Sequence, residues 1–263
     1  MFTGNMVTEA IPARVFALYK IVTSKKDIFR SELQELMEPR GIYEGTSYFP
    51  IILKTATEVK LLDIQDNIVS TLVSKNEIET IDEMRKYIIS KLNLFEGEQF
   101  YNCTNAIVNL NADVFKYKSI SDNDMLKYLV DTTSQKVTAP MALGWRFWAQ
   151  FLGFGYMHGV AFLPNAYVFV KEVIKLLNLE KNREYQMDDF IAMFNQYGRI
   201  LTDNPQSEKS INLAFSSALR ELHENGEITL KYISDQASKW ILYPSNDLFN
   251  NPVSSIIYKG VKR

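Results

Sequence analysis

The sequence predicts a mainly α fold with small β-wings, in which winged helix-turn-helix modules at both ends are joined by a helical middle region. Three observations carry this. Apolar residues recur at helical spacing through most of the 263 residues. Near each end, helical segments give way to two short strand-like runs around a polar turn. Hydrophobic residues make up 46% and charged residues 23%, the balance of a folded chain and not of a disordered or disulfide-held one. The boundaries fall at 1–77 for the first module, 78–186 for the middle region and 187–263 for the second module.

The first helix is expected over residues 12–23, with Pro12 in the first turn and Val15, Phe16, Leu18, Tyr19 and Val22 as its apolar face. Ser24–Asp27 reads as a polar connector. Arg30–Met37 follows as a short helix that stops at Pro39-Arg40-Gly41. Ser47 is placed as the cap of a third helix reaching about Leu62. Leu61–Ile64 and Ile68–Val73 flank Gln65-Asp66-Asn67 as two strands and their turn. Three helices and then a hairpin is the order of a winged helix-turn-helix.

In the middle region, Met84–Leu94, Ser121–Leu129, Ala142–Phe154 and Ala166–Leu177 are the expected helices. Phe147–Val170 contains no Asp, Glu, Lys or Arg, a length that can cross a bilayer. Its Gln150, His158 and glycines, and the break at Pro164-Asn165, favour a buried helical pair instead. In the second module, Asp188–Tyr197 is helical and residues 202–207 form a polar link. Glu208–Glu224 is an amphipathic helix with Ile211, Ala214, Phe215, Ala218, Leu219 and Leu222 on its inner side. Asn225-Gly226 ends it. Glu227–Ser234 and Trp240–Tyr243 are the two strands of the wing, with 235–239 at its tip.

Function is read from what these elements would present. The net charge of −2 provides no general attraction to nucleic acid. Cys103 is the one cysteine, so no internal disulfide can form, and a reducing cytoplasm is the expected compartment. The first residues lack the basic and apolar regions of a secretory signal. No phosphate-binding loop, metal-ligand spacing or nucleophile motif occurs, so no enzyme activity, cofactor, metal or small-molecule substrate is expected. Gly153-Phe154-Gly155 through Gly159 departs from a dinucleotide loop and reads as a helix end. His158 is expected in the core, His223 near a helix carboxyl end, Asp122 as a helix cap, and the Trp145–Phe154 rings as core anchors.

A winged helix reads DNA with the outward face of its third helix and with its wing. In the second module that face would carry Lys209, Leu213, Ser216 and Arg220, flanked by Asn212 and Ser217, with Lys231 and Lys239 on the wing strands or at its tip. In the first module it would carry Ser47 and Lys54, beside Ile51, Thr55 and Glu58. Glu58 repels phosphate and an outward Ile51 suits a protein surface. The tail from Lys259 adds three positive charges.

The run Ile11-Pro12-Ala13-Arg14-Val15-Phe16-Ala17-Leu18-Tyr19-Lys20 resembles the opening of the DpdG family, from bacterial gene clusters that insert 7-deazaguanine bases into DNA. Trp145-Arg146-Phe147-Trp148-Ala149-x-Phe151-Leu152-Gly153-Phe154, followed by Leu163-Pro164-Asn165, is similar to that family's middle signature. The resemblance spans most of the chain. It implies a non-catalytic component of a DNA-modification or anti-phage defence assembly and transfers no catalytic residue. The leading expectation is therefore a DNA-associated component that touches double-stranded DNA. Its rival, favoured by the balanced charge and the outward Ile51 and Leu213, is an acidic tandem winged-helix adaptor of the chromosome-organising-complex type that binds other protein subunits and no DNA. Neither requires a membrane.

Overall fold

The computed structural model describes residues 1–42, 45–203, 209–235, 238–245 and 249–260. Roughly half of the chain is helical, with three small antiparallel sheets, so the fold is mainly α with small β elements. Residues 204–208, most of the expected polar link together with Glu208, lie outside the described residues. So do 236–237 at the expected wing tip and 261–263 of the basic tail.

The chain begins with α1 (Pro12–Lys25), β1 (Asp27–Phe29), α2 (Arg30–Met37), α3 (Phe49–Glu58), β2 (Leu62–Gln65) and β3 (Ile68–Thr71). Val15, Leu18, Tyr19 and Val22 are buried, as the spacing on α1 requires. The Ser24–Asp27 connector is corrected: α1 runs through Lys25 and a strand follows at once. Both β1 and β2 pair with β3, so the sheet order is β1-β3-β2. Asp66 and Asn67 join β2 to β3 with φ of 51° and 65°, the left-handed pair that a two-residue hairpin turn demands.

Next come α4 (Ile81–Lys91), α5 (Gln99–Asn109), α6 (Asn123–Thr133) and α7 (Ala139–Leu152), with 3-10 turns at Leu92–Phe95 and Asn111–Lys116. Asp122 caps α6 as expected, accepting from the Met125 N–H at 2.8 Å. The expected helical pair across 147–170 is corrected. Gly153, at φ 85°, ends α7 in the left-handed conformation. A hairpin of β4 (Gly155–His158) and β5 (Ala161–Pro164) follows before α8 (Tyr167–Leu176). His158, expected in the core, is exposed on that hairpin. No helix of the described residues is long and apolar enough to cross a membrane.

The last elements are β6 (Glu184–Gln186), α9 (Met187–Thr202), α10 (Leu213–Glu224), β7 (Ile228–Lys231) and β8 (Ser255–Tyr258), in a sheet of order β6-β8-β7. Trp240–Tyr243 is therefore not the partner strand of β7. Trp240 makes one isolated bridge to Val253, Ile241 makes one to Ser210, and β8 closes the sheet. An order of helix, strand, helix, helix, strand, strand thus occurs twice, as α1-β1-α2-α3-β2-β3 and as α8-β6-α9-α10-β7-β8. The sheet order is first-third-second each time. In both copies the first helix packs on the third, α1 on α3 and α8 on α10. The second copy begins inside the expected middle region, because α8 and β6 precede residue 187.

One buried apolar cluster runs through these elements, with β4 and β6 adding only the partly buried Met157 and Tyr185 packed against it. Trp145 and Trp148 on α7 lie at its centre and bear out the expectation that they are core anchors. A Cβ at Gly144 would stand 2.7 Å from the Val7 backbone, so only glycine lets the amino-terminal segment lie directly on α7.

Candidate functional site

The candidate site follows from α10 and α3, the third helices of the two repeated units. Asn212 caps α10, accepting from the Phe215 N–H at 2.9 Å, and its amide donates to the Leu201 carbonyl at 2.9 Å. Ser216 is fully buried. Its hydroxyl accepts from the Tyr243 N–H at 2.8 Å and donates to the Ile211 carbonyl at 3.1 Å. Arg220 is 2% exposed. Its Nε donates to the Phe249 carbonyl at 2.8 Å, and its Nη2 donates to the Tyr243 carbonyl at 2.6 Å and to Asn250 Oδ1 at 3.1 Å.

The outward orientation expected for Asn212, Ser216 and Arg220 is therefore corrected. Tyr243, Phe249 and Asn250, which follow β7, lie over α10, and Ser216 and Arg220 hold them there as a strap, while Asn212 ties α10 to the end of α9. No residue from Leu213 to His223 is fully exposed.

The flanking lysines are engaged as well. Lys209 pairs with Asp188 at 3.1 Å and donates to the Ser238 hydroxyl at 2.8 Å. Hydrogen bonds from Ser238 and Trp240, joined by Lys209, hold the Asp188 carboxyl below the usual range. Lys231 pairs with Glu184 at 2.7 Å. Lys239 donates to the Ser234 carbonyl at 2.7 Å and lies over the Tyr232 ring.

In the first unit, Ser47 is not the helix cap. Tyr48 holds that position, and the Ser47 hydroxyl donates to Glu38, which does the capping. Glu38 Oε1 accepts from the Tyr48 and Phe49 N–H groups at 2.7 and 2.9 Å. The amino end of α3, where a phosphate would bind, thus already holds a carboxylate. Partial burial works against ionisation of Glu38, but hydrogen bonds from Ser47, Tyr48 and Phe49 outweigh it and lower its pKa.

A carboxylate with a lowered folded pKa adds stability above its unfolded pKa and loses it as pH falls through the folded value. Glu38→Gln is expected to destabilise the protein by about 1 kcal/mol at neutral pH, the usual worth of a helix cap. The gap should close as pH falls below the ordinary carboxylate range, which urea denaturation across that range would measure.

Lys54 is exposed as expected, 3.8 Å from Glu58. Thr55 is buried and gives its hydroxyl to the Ile51 carbonyl. Glu58 is turned to the chain's own start, accepting from Phe2 N–H at 2.9 Å and the Thr3 hydroxyl at 2.8 Å. The DNA-contact set is thus split: Ser47 and Lys54 sit on one unit, and Lys209, Asn212, Ser216, Arg220, Lys231 and Lys239 on the other.

No family model, curated protein or solved structure matches the chain.

Other chemistry is sparse among the described residues. Cys103 is buried, and burial pushes its thiol up to about 12, away from nucleophilic use. His223 accepts from the Leu230 N–H at Nδ1. No group of His, Cys, Asp and Glu is placed to hold a metal ion.

The first unit instead exposes large apolar side chains. Ile42 is 84% and Phe29 59% exposed, and Leu36, Ile51, Ile68 and Leu72 join them. On the sheet, Phe29 and Ile68 are cross-strand partners and share its outer face. Sequence reading singled out Ile51 alone. A signal was present for Leu36 alone, which falls off the buried stripe that Leu33 occupies on α2.

Proposed function

We propose that this chain is a protein-binding adaptor built on two winged-helix modules, 12–71 and 167–258, joined by helices. The twice-occurring element order, with its first-third-second sheet, supports the winged-helix reading of each unit. Under the DpdG resemblance, its partners are other components of a bacterial DNA-modification or defence assembly.

One contrast carries the choice of protein over DNA. On the second module Asn212, Ser216 and Arg220 are buried, Lys209 and Lys231 are paired with carboxylates and Lys239 is bonded to the Ser234 carbonyl, while the first module leaves an uncovered apolar surface around Phe29 and Ile68. Phosphate contact requires free cations, and protein interfaces require apolar centres. The turn of the first hairpin carries Asp66 where a phosphate contact would want a lysine.

Titration with duplex DNA at low and high salt tests this reading. The expected result is no binding at low salt, together with a host protein that co-purifies with the wild-type chain and is lost on Phe29→Ser/Ile68→Ser. Tight binding to DNA that falls steeply with added salt and weakens on Lys54→Ala would overturn it.

A further inference from the structure

Two hollows of about 440 and 430 Å³ adjoin between the β4–β5 hairpin, the start of α8 and the strap edge of α10, and they share Asn165 and Glu221. Leu213, Ser217 and Arg220 line the first, with Pro244 and Ser245 of the strap on its far side and Glu224 also on its wall. Tyr156 and Val168, both exposed, line the second.

Two kinds of polar group face the groove without a full set of partners among the described residues. Glu221 accepts only a long bond of 3.3 Å from the Asn165 amide, and the exposed Glu224 has no hydrogen bond or ion pair to a described residue. Lys171, the nearby amine of α8, is already tied to Glu227 at 3.0 Å and leaves these carboxylates alone. Independently, the buried Arg220 spends Nε and Nη2 on the strap, while Nη1 makes no hydrogen bond to a described residue. A ligand that satisfies both sides brings a cation to the glutamates and an acceptor oxygen to the guanidinium. The carboxylates repel phosphate, which disfavours nucleic acid.

We infer that this groove docks an extended segment of a partner protein that carries a lysine or arginine beside a large apolar residue. A backbone carbonyl of the segment meets Arg220 Nη1, its basic side chain pairs with Glu221 and Glu224, and its apolar side chain lies on Tyr156 and Val168. The inference rests on the adaptor reading and assigns it a second surface, separate from the Phe29 face.

Selection of a displayed random dodecapeptide library on the full chain tests it. The enriched peptides are expected to combine Lys or Arg with large apolar residues, and synthetic copies should bind at least ten-fold more weakly to Glu221→Gln/Glu224→Gln. Both glutamates sit at the surface, so the variant's thermal melt should match that of the wild type. Peptides without basic residues, peptides that ignore the variant, or no enrichment would each overturn the groove. Peptides that ignore the glutamates but are lost on Phe29→Ser/Ile68→Ser would overturn it while leaving the adaptor reading standing. The host co-purification experiment judges that reading separately.

Discussion

Trp148→Ala is expected to remove about 4 kcal/mol of stability, within the range for truncating a fully buried tryptophan. Trp148 is 0% exposed on α7 and packs edge-on against Phe2 and Phe151 at ring-centre distances of 5.0 and 5.7 Å. Its indole Nε1 donates to the Ala10 carbonyl at 2.7 Å. Alanine therefore opens a cavity and also strands a carbonyl.

The loss should be felt at the amino terminus. Met1, Phe2, Met6 and Ala10 are buried, and the segment lies close to α7 where Gly144 has no side chain. Chemical denaturation should give the loss in stability, and hydrogen exchange over residues 1–11 should accelerate with it. Trp148→Phe retains most of the volume but not the donor, so its deficit should be smaller, about 1–2 kcal/mol. A deficit under about 1 kcal/mol for Trp148→Ala would show that the segment is held by other contacts.

Local pattern made α1, α2 and the β2–β3 hairpin legible. Their apolar residues sit at a clear period, and Asp66-Asn67 punctuates the turn. The outcome on α10 was half right for a physical reason. The inner stripe of Ile211, Ala214, Phe215, Ala218, Leu219 and Leu222 is buried as the spacing requires. The opposite stripe reads as solvent-facing, but a helix wheel cannot see a strap that brings Tyr243, Phe249 and Asn250 over it.

The missed elements share causes of the same kind. β1 has three residues, too few for an alternation to register. α5 buries Phe100, Tyr101, Cys103, Ala106, Ile107 and Val108 but intersperses Asn and Thr, which blurs its stripe. The β4–β5 hairpin lies in an uncharged run, where the exposed Tyr156 and Val160 are as apolar as their buried neighbours, so no contrast separates strand from helix. The sheet partner of β7 lies beyond the whole strap, in β8, while Trp240–Tyr243 imitates a nearer one. The apolar surface on the first module was hidden because one exposed apolar residue is ordinary, and only the sheet register makes neighbours of Phe29 and Ile68.

Arg220→Ala is the second large expected effect, about 3 kcal/mol. The guanidinium is almost wholly buried, and desolvation lowers its pKa from the usual arginine value, though it remains charged. Such a charge is tolerated because three acceptors of the strap converge on it: the Tyr243 and Phe249 carbonyls and Asn250 Oδ1. Removing it relieves one desolvation cost but leaves those acceptors without their donor and opens the space that the side chain filled.

Arg220→Lys should not rescue the variant. One ammonium cannot reproduce the planar fork that reaches Phe249 on one side and Tyr243 on the other. Arg220→Met should fall between the two extremes, since it restores packing but supplies no donor. The local consequence separates this effect from general destabilisation. Exchange at the Tyr243 N–H, which is bonded to Ser216 Oγ at 2.8 Å, should accelerate well beyond that of β7 and β8. If exchange rose equally in the strap and the sheet, Arg220 would be holding the module as a whole. If the strap alone loosened, α10 would gain an exposed face that the native chain keeps covered, with Ser216 left as the remaining side-chain tie to Tyr243.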